Sequence, residues 1–199
     1  MFNHDTINFQ VQKVPLYINH MFIGKNGTVD RADCREYGEV PSSIGMGIER
    51  DDGTMLGIVS DAYEVVQYND IVEQVEEALT MSGINLTDAN FDTNVYSDGA
   101  QLELRARFPA HEQSIDDKND TVIPEFVFRT SHNRTWANNG MMGLWRSMCF
   151  NTLVNGNKLA YMYGRHTKNF HVPSFAAKVR GAAEYIAYDG INTMKMWYN

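Results

Sequence analysis

With 199 residues, 43% hydrophobic and 12% aromatic, the chain is long enough to bury one core and too rich in rings for wholesale disorder. No apolar run approaches the ~20 residues of a membrane helix, residues 1–5 lack the charged and apolar regions of a secretory signal, and two cysteines exclude a disulfide framework, so a cytoplasmic protein is expected. The formal net charge of −8 argues, taken alone, against a nucleic-acid partner.

Residues 1–199 read as a single domain, weakly patterned over 1–40 and ordered over a core at 44–189. Residues 14–23 can hold a strand before the Asn26-Gly27 turn, and 31–39 read as a loop or frayed helix. Order begins with Gly45-Met46-Gly47-Ile48 and Met55-Leu56-Gly57-Ile58-Val59 around Asp51-Asp52-Gly53, a hairpin signature. Val65-Val66-Gln67-Tyr68 extends the strand region. Asn69 or Asp70 then caps a helix whose Ile71, Val75 and Leu79 recur at i, i+4 and i+8, with Val72 and Ala78 beside them and Gly83 as its stop.

A second hairpin turns at Ser97-Asp98-Gly99. Leu102, Leu104, Ala106 and Phe108 alternate with Gln101, Glu103, Arg105 and Arg107, which sends the first set to a core and the second to water. Pro109 ends that strand, and 111–120 read as an acidic, mobile loop. Residues 122–130 form a strand, interrupted or started at Pro124. Asn139-Gly140 and Asn155-Gly156 are expected to be further hairpin turns, with strands over 141–153 and 158–163. Pro173 opens a last helix with Phe175, Val179, Ala182 or Ala183, and Ile186 as its apolar stripe, and Asp189-Gly190 as its end. The expected class is α+β: antiparallel β-hairpins and a meander packed against two main helices.

Charge is segregated along this order. Residues 126–180 hold eight basic residues (Arg129, Arg134, Arg146, Lys158, Arg165, Lys168, Lys178, Arg180) and no Asp or Glu, whereas residues 1–124 hold 22 acids against 8 bases. The basic stretch is interleaved with Phe126, Phe128, Trp136, Trp145, Phe150, Tyr161, Tyr163 and Phe170. Single-stranded nucleic acid requires both types: cations track the phosphates and release counterions, and aromatic faces stack on splayed bases. The plainer reading of any one aromatic is a core side chain. Ser131-His132-Asn133-Arg134, at a strand end, is a candidate phosphate-contacting loop or an ordinary surface turn. Its adjacent Ser and His point to opposite faces of a strand and cannot form a nucleophile–base pair.

Cys149 between Met148 and Phe150 reads as a buried thiol. His166 and His171 lack the spacing and companions of a zinc site, and no phosphate-binding glycine motif occurs, so neither metal nor cofactor is expected. Glu73, Glu76 and Glu77 fall on the outer face of a helix and read as solvated.

Leu56-Gly57-Ile58-Val59-Ser60-Asp61-Ala62-Tyr63-Glu64-Val65-Val66-Gln67 resembles the early signature of the phage/plasmid-like protein family, catalogued as a domain of unknown function. Ser131-His132-Asn133 and Cys149-x-Asn151 are similar to that family's Ser-His-Asp-Gly turn and later Cys-x-Asn strand, with Arg134 standing in place of glycine. The resemblance spans about residues 44–180. It implies a mobile-element origin and members longer than this chain, and it supplies no catalytic residues. Hairpins on a helix beside a basic groove also resemble the plan of phage single-strand annealing proteins.

The expectation is therefore a single-stranded DNA binding or annealing protein of a phage or plasmid, acting in recombination or replication as a homo-oligomer. Arg129, Arg134, Arg146, Lys158, Arg165 and Lys168 would neutralise phosphates, and Trp136, Tyr161 and Tyr163 would stack. The alternatives are a protein-binding module that inhibits a host factor or mimics DNA, and a nuclease built on Asp116, Asp117 and Asp120.

Overall fold

The computed structural model describes residues 1–18, 22–23, 29–30, 40–114, 121–146, 160–167 and 170–185. The class is α+β with antiparallel sheets. The smaller sheet consists of β1 (Val11–Ile18), β4 (Val40–Arg50) and β5 (Met55–Val59) in the order β1-β4-β5; between them, β2 (Phe22–Ile23) and β3 (Val29–Asp30) pair with each other. The β4–β5 hairpin is the one its sequence predicts, with Met46 opposite Val59 and Ile48 opposite Gly57. Its inward residues Ile48, Leu56 and Val59 join Val11, Tyr63 and Ala100 in a small core.

The larger sheet runs β11 (Ala160–Gly164), β10 (Asn138–Arg146), β9 (Thr121–Ser131), β7 (Gln101–Arg107), β6 (Asn90–Tyr96), with the two-residue β8 (Gln113–Ser114) also on β9. Period-2 alternation divides it into two faces. Leu102, Leu104, Ala106, Phe126, Phe128 and Met142 point inward and are fully buried, which stabilises the fold by roughly 1.5–3 kcal/mol for each large side chain. They meet α1 (Tyr68–Met81) and α2 (Val172–Tyr185), whose apolar stripes Ile71, Val72, Val75, Leu79 and Phe175, Val179, Ala182, Ala183 close the main core. Phe126 and Phe128 are thus core residues, with Phe128 edge-on to Phe175 at 5.1 Å.

Several local expectations change. Val65 and Val66 lie outside any strand. Gln67 occupies that place chemically: its amide accepts from Val11 N (3.1 Å) and donates to Val11 O (2.8 Å). Gln67 is also the N-cap of α1 and makes no side-chain cap bond, so neither Asn69 nor Asp70 caps the helix. Glu76 is bound by the chain start, accepting from Phe2 N (2.6 Å) and lying 3.1 Å from His4 Nε2. Asn139-Gly140 is mid-strand, and the turn is at 132–137. A Cβ at 140 would stand 3.0 Å from the Phe175 ring and 3.1 Å from Met162 Cε, so a larger residue would push one of these side chains aside by a few tenths of an ångström.

Pro124 lies inside β9, not at its start. Its carbonyl accepts from Phe108 N (3.0 Å), just beyond the end of β7, so its missing N–H faces a position with no ladder to break. Part of the expected 111–120 loop is the strand β8, paired with Thr121 and Val122. The Asn26-Gly27 and Asn155-Gly156 turns, Cys149, and Asp116, Asp117 and Asp120 lie outside the described residues.

Candidate nucleic-acid interface

The outward face of the larger sheet collects the residues that matter. Tyr163, Asn139, Arg129, Glu103 and Asn94 form one row across β11, β10, β9, β7 and β6; Tyr161, Met141, Val127, Arg105 and Asp92 form the next. Tyr161, Tyr163 and Arg129 therefore share one face, with Tyr163 and Arg129 two strand spacings apart, roughly 10 Å. Trp136, in the turn after β9, sits beside them with the Arg129 guanidinium 5.6 Å from its ring centre and Tyr96 edge-on at 6.0 Å.

The centre of this face is electrically closed. Arg129 Nε donates to Glu103 Oε2 (2.6 Å) and Arg105 Nε to Glu103 Oε1 (2.8 Å); Arg107 Nε donates to Glu125 Oε1 (2.8 Å), with Arg105 also 3.8 Å from that atom. Three arginines thus stand over two carboxylates. Glu103 and Glu125 are buried instead of solvated, because each lies directly opposite an arginine on the neighbouring strand. Burial raises the Glu103 carboxyl, but the bonds from Arg105 and Arg129 outweigh it and hold the group below its ordinary value. Arg107 lies 5.0 Å from the Trp145 ring centre, a second guanidinium–indole stack. Arg129, expected to neutralise phosphate, is here held by a carboxylate from the acidic half of the chain.

The β11 edge is different. Tyr161 and Tyr163 are 48% and 52% exposed, at successive outward positions. Arg165 follows, and α2 brings His171, Ser174 and Lys178 to the same edge, where they line a cleft with Tyr163 and Phe170. Arg165 and Lys178 are exposed, and among the described residues neither takes part in an ion pair. Phe170, Lys178 and His171 were absent from the sequence-derived site. The i, i+4 spacing of Ser174 and Lys178 is the signal that places these two on one helix face, with His171 immediately before the helix.

Arg134 is exposed in the 132–137 turn with φ +66°. Arg146 ends β10, and Lys158 and Lys168 lie outside the described residues.

Ser131 and His132 are buried, which removes them as phosphate contacts. Ser131 Oγ instead clamps the turn through Trp136 N and O, both at 2.9 Å. The His132 ring stacks on Tyr68 (centroids 4.2 Å apart), His166 stacks on Tyr63 (5.0 Å), and Tyr63 donates its hydroxyl to Ser131 O (2.9 Å). His166 Nε2 lies 3.2 Å from Thr130 Oγ1, which donates to Asn138 Oδ1 (2.7 Å). Neither ring nitrogen of His132 has a hydrogen-bond partner among the described residues. Burial, helped by His166, pushes His132 down to about 3, and burial pushes His166 down to about 4, so both rings are neutral at pH 7. A Cβ at Gly57 would stand 2.8 Å from Asn133 Cα, so glycine is needed where β5 crosses this turn. The described parts of the two stretches that carry the family resemblance, Gly57 and Tyr63 from the first and Ser131 to Asn133 from the second, thus meet in space, at the joint between the two sheets.

A family model described as "Domain of unknown function (DUF932)" matches residues 55–189, more than half of the chain. The chain belongs to the DUF932 family. The match includes both halves of that joint, the β11 edge and α2, and the outward face of β7 and β9. No curated protein and no solved structure matches this DUF932 chain. Among the described residues no group of three or more His, Cys, Asp or Glu could hold a metal ion, and no helix is long and apolar enough to cross a membrane.

Proposed function

We propose that this DUF932 protein binds and anneals single-stranded DNA, with the β11 edge of the larger sheet as its platform, in the recombination or replication of a phage or plasmid. The observation that carries the reading is the pair Tyr161 and Tyr163, half-exposed on one strand and followed by the exposed Arg165, which has no ion-pair partner among the described residues. Outward side chains two residues apart on a strand are separated by roughly 6.7 Å. That is about twice the ~3.4 Å base-stacking rise, so one base fits between the two rings. Exposed aromatics on a sheet are how single-stranded nucleic acids are held when bases are stacked and not read. Arg165 supplies a cation for the adjoining phosphate. Arg129, once released from Glu103, can supply a second.

Annealing requires only that a strand be held extended with its bases presented, so the reading calls on no cofactor. It includes a cytoplasmic setting and assembly of several copies along the strand. The test is the binding of an unstructured oligonucleotide at about 50 and about 200 mM salt. Tight binding at low salt that weakens at high salt supports the platform; no binding at low salt removes it.

The pairing of Arg105, Arg107 and Arg129 with Glu103 and Glu125 favours one second reading, a protein-binding face. Tyr, Trp and Arg with little net charge are the residues that dominate protein interfaces. Binding of a host protein with little salt dependence, and none of DNA, would select it.

A further inference from the structure

The cleft between the end of β11 and the start of α2 is distinct from the flat sheet face. It has a volume of about 170 Å³ and is lined by Tyr163, Arg165, Phe170, His171, Ser174 and Lys178 among others, with no Asp or Glu lining it among the described residues. Pockets for drug-sized molecules have roughly 300–1,000 Å³, so this one suits a single small group. Its lining includes the rings of Tyr163 and Phe170. The lining also includes two cations without ion-pair partners among the described residues, Arg165 and Lys178, together with Ser174 and His171.

Charge matching narrows the ligand. An internal phosphodiester carries one negative charge, whereas a phosphate monoester carries about −1.5 to −2 at pH 7. Two cations lining one recess match the monoester. Aromatic rings in the same lining match a base attached to it.

We infer that this cleft binds a phosphate monoester carried on a nucleoside, and that its physiological form is the phosphorylated end of a DNA strand. The inference rests on the single-strand reading and adds polarity to it. Strand passing over Tyr161 and Tyr163 terminates in the recess, so the protein engages strand ends in preference to internal segments.

The test uses the full chain and oligonucleotides of one sequence, labelled at the opposite end, that carry a 5′-phosphate, a 3′-phosphate or only hydroxyls. Anisotropy at low salt should show one phosphorylated end bound about tenfold more tightly than the hydroxyl form, the increment of one strong charge-assisted contact. Lys178→Gln should bring that ratio close to one, with an unchanged circular dichroism spectrum, since Lys178 is exposed. Free dAMP as competitor separates the two sources of the same group. Displacement of the phosphorylated strand by dAMP at comparable concentration assigns the cleft to mononucleotides, and failure to compete assigns it to strand ends. Equal binding of all three oligonucleotides, with no effect of dAMP, overturns the inference while leaving the platform standing. Absence of binding to any oligonucleotide overturns both.

Discussion

The centre and the edge of the larger sheet present the same residue types and opposite electrostatics. Over β7 and β9, Arg105, Arg107 and Arg129 are spent on Glu103 and Glu125, and their guanidinium planes cover Trp145 and Trp136. At β11 and α2, Arg165 and Lys178 stand without ion pairs among the described residues, next to half-exposed tyrosines. An arginine over a tryptophan is thus no evidence of a ligand site by itself. What distinguishes the two regions is the carboxylate across the strand.

The largest effect concerns what both regions stand on. His132 and His166 sit in the joint between the sheets with values near 3 and 4, below the ordinary 6.5. Because the folded values are depressed, the unfolded chain binds more protons between pH 6.5 and about 4, so their contribution is complete above pH 6.5 and declines as the pH falls. By pH 5 the loss should be on the order of 4 kcal/mol from the two rings together. Urea midpoints measured between pH 7 and 5 check this, and a flat profile would contradict the buried joint. Above the carboxylate range the ion pairs at the centre should be untouched, so acid erases the comparison by unfolding both regions at once.

Next comes Tyr163→Ala, which should weaken single-strand binding by about 1–3 kcal/mol while changing stability by no more than about 0.5 kcal/mol, since the ring is half-exposed. Glu103→Gln tests the centre from the other side. Removing the shared partner of Arg105 and Arg129 should cost roughly 1–2 kcal/mol of stability, discounted because both guanidiniums reach solvent. It should also strengthen DNA binding at low salt, because it frees Arg129. A loss of DNA binding in a folded Glu103→Gln protein would show that the pairing is not the brake described here. The smallest effect is in salt dependence. Arg165→Ala should flatten the slope of log K against log salt by about 0.7, one single-strand phosphate contact, and Arg129→Ala should leave it nearly unchanged.

Where pattern is local, the fold was legible in the sequence. The alternation Leu102, Leu104, Ala106, Phe108 and the i, i+4, i+8 spacing of Ile71, Val75 and Leu79 each fix a buried face. Pro173 opens α2 as its missing N–H allows. Long-range choices were not legible. Glu103 and Arg129 are 26 residues apart, and only strand register makes them partners. Asn139-Gly140 has the sequence of a turn but lies in β10, paired with Arg129 and Phe128 of β9 on one side and Tyr163 and Met162 of β11 on the other. His132 looks like a surface residue until Tyr68 is stacked on it. Of the nominated site residues, Arg129, Trp136, Tyr161 and Tyr163 come together on one face, with Arg165 at its edge. Of their neighbours, Glu103 carries no local signal of its neutralising role, and Lys178 carries only its helical spacing from Ser174.

Photo-crosslinking of an oligonucleotide carrying bromodeoxyuridine, followed by peptide mass spectrometry, locates the bound strand without any substitution. Adducts at Tyr161 and Tyr163, with Trp145 largely unlabelled, are the result predicted for an edge platform. Adducts confined to other surfaces, or none under conditions of saturating DNA, would contradict it.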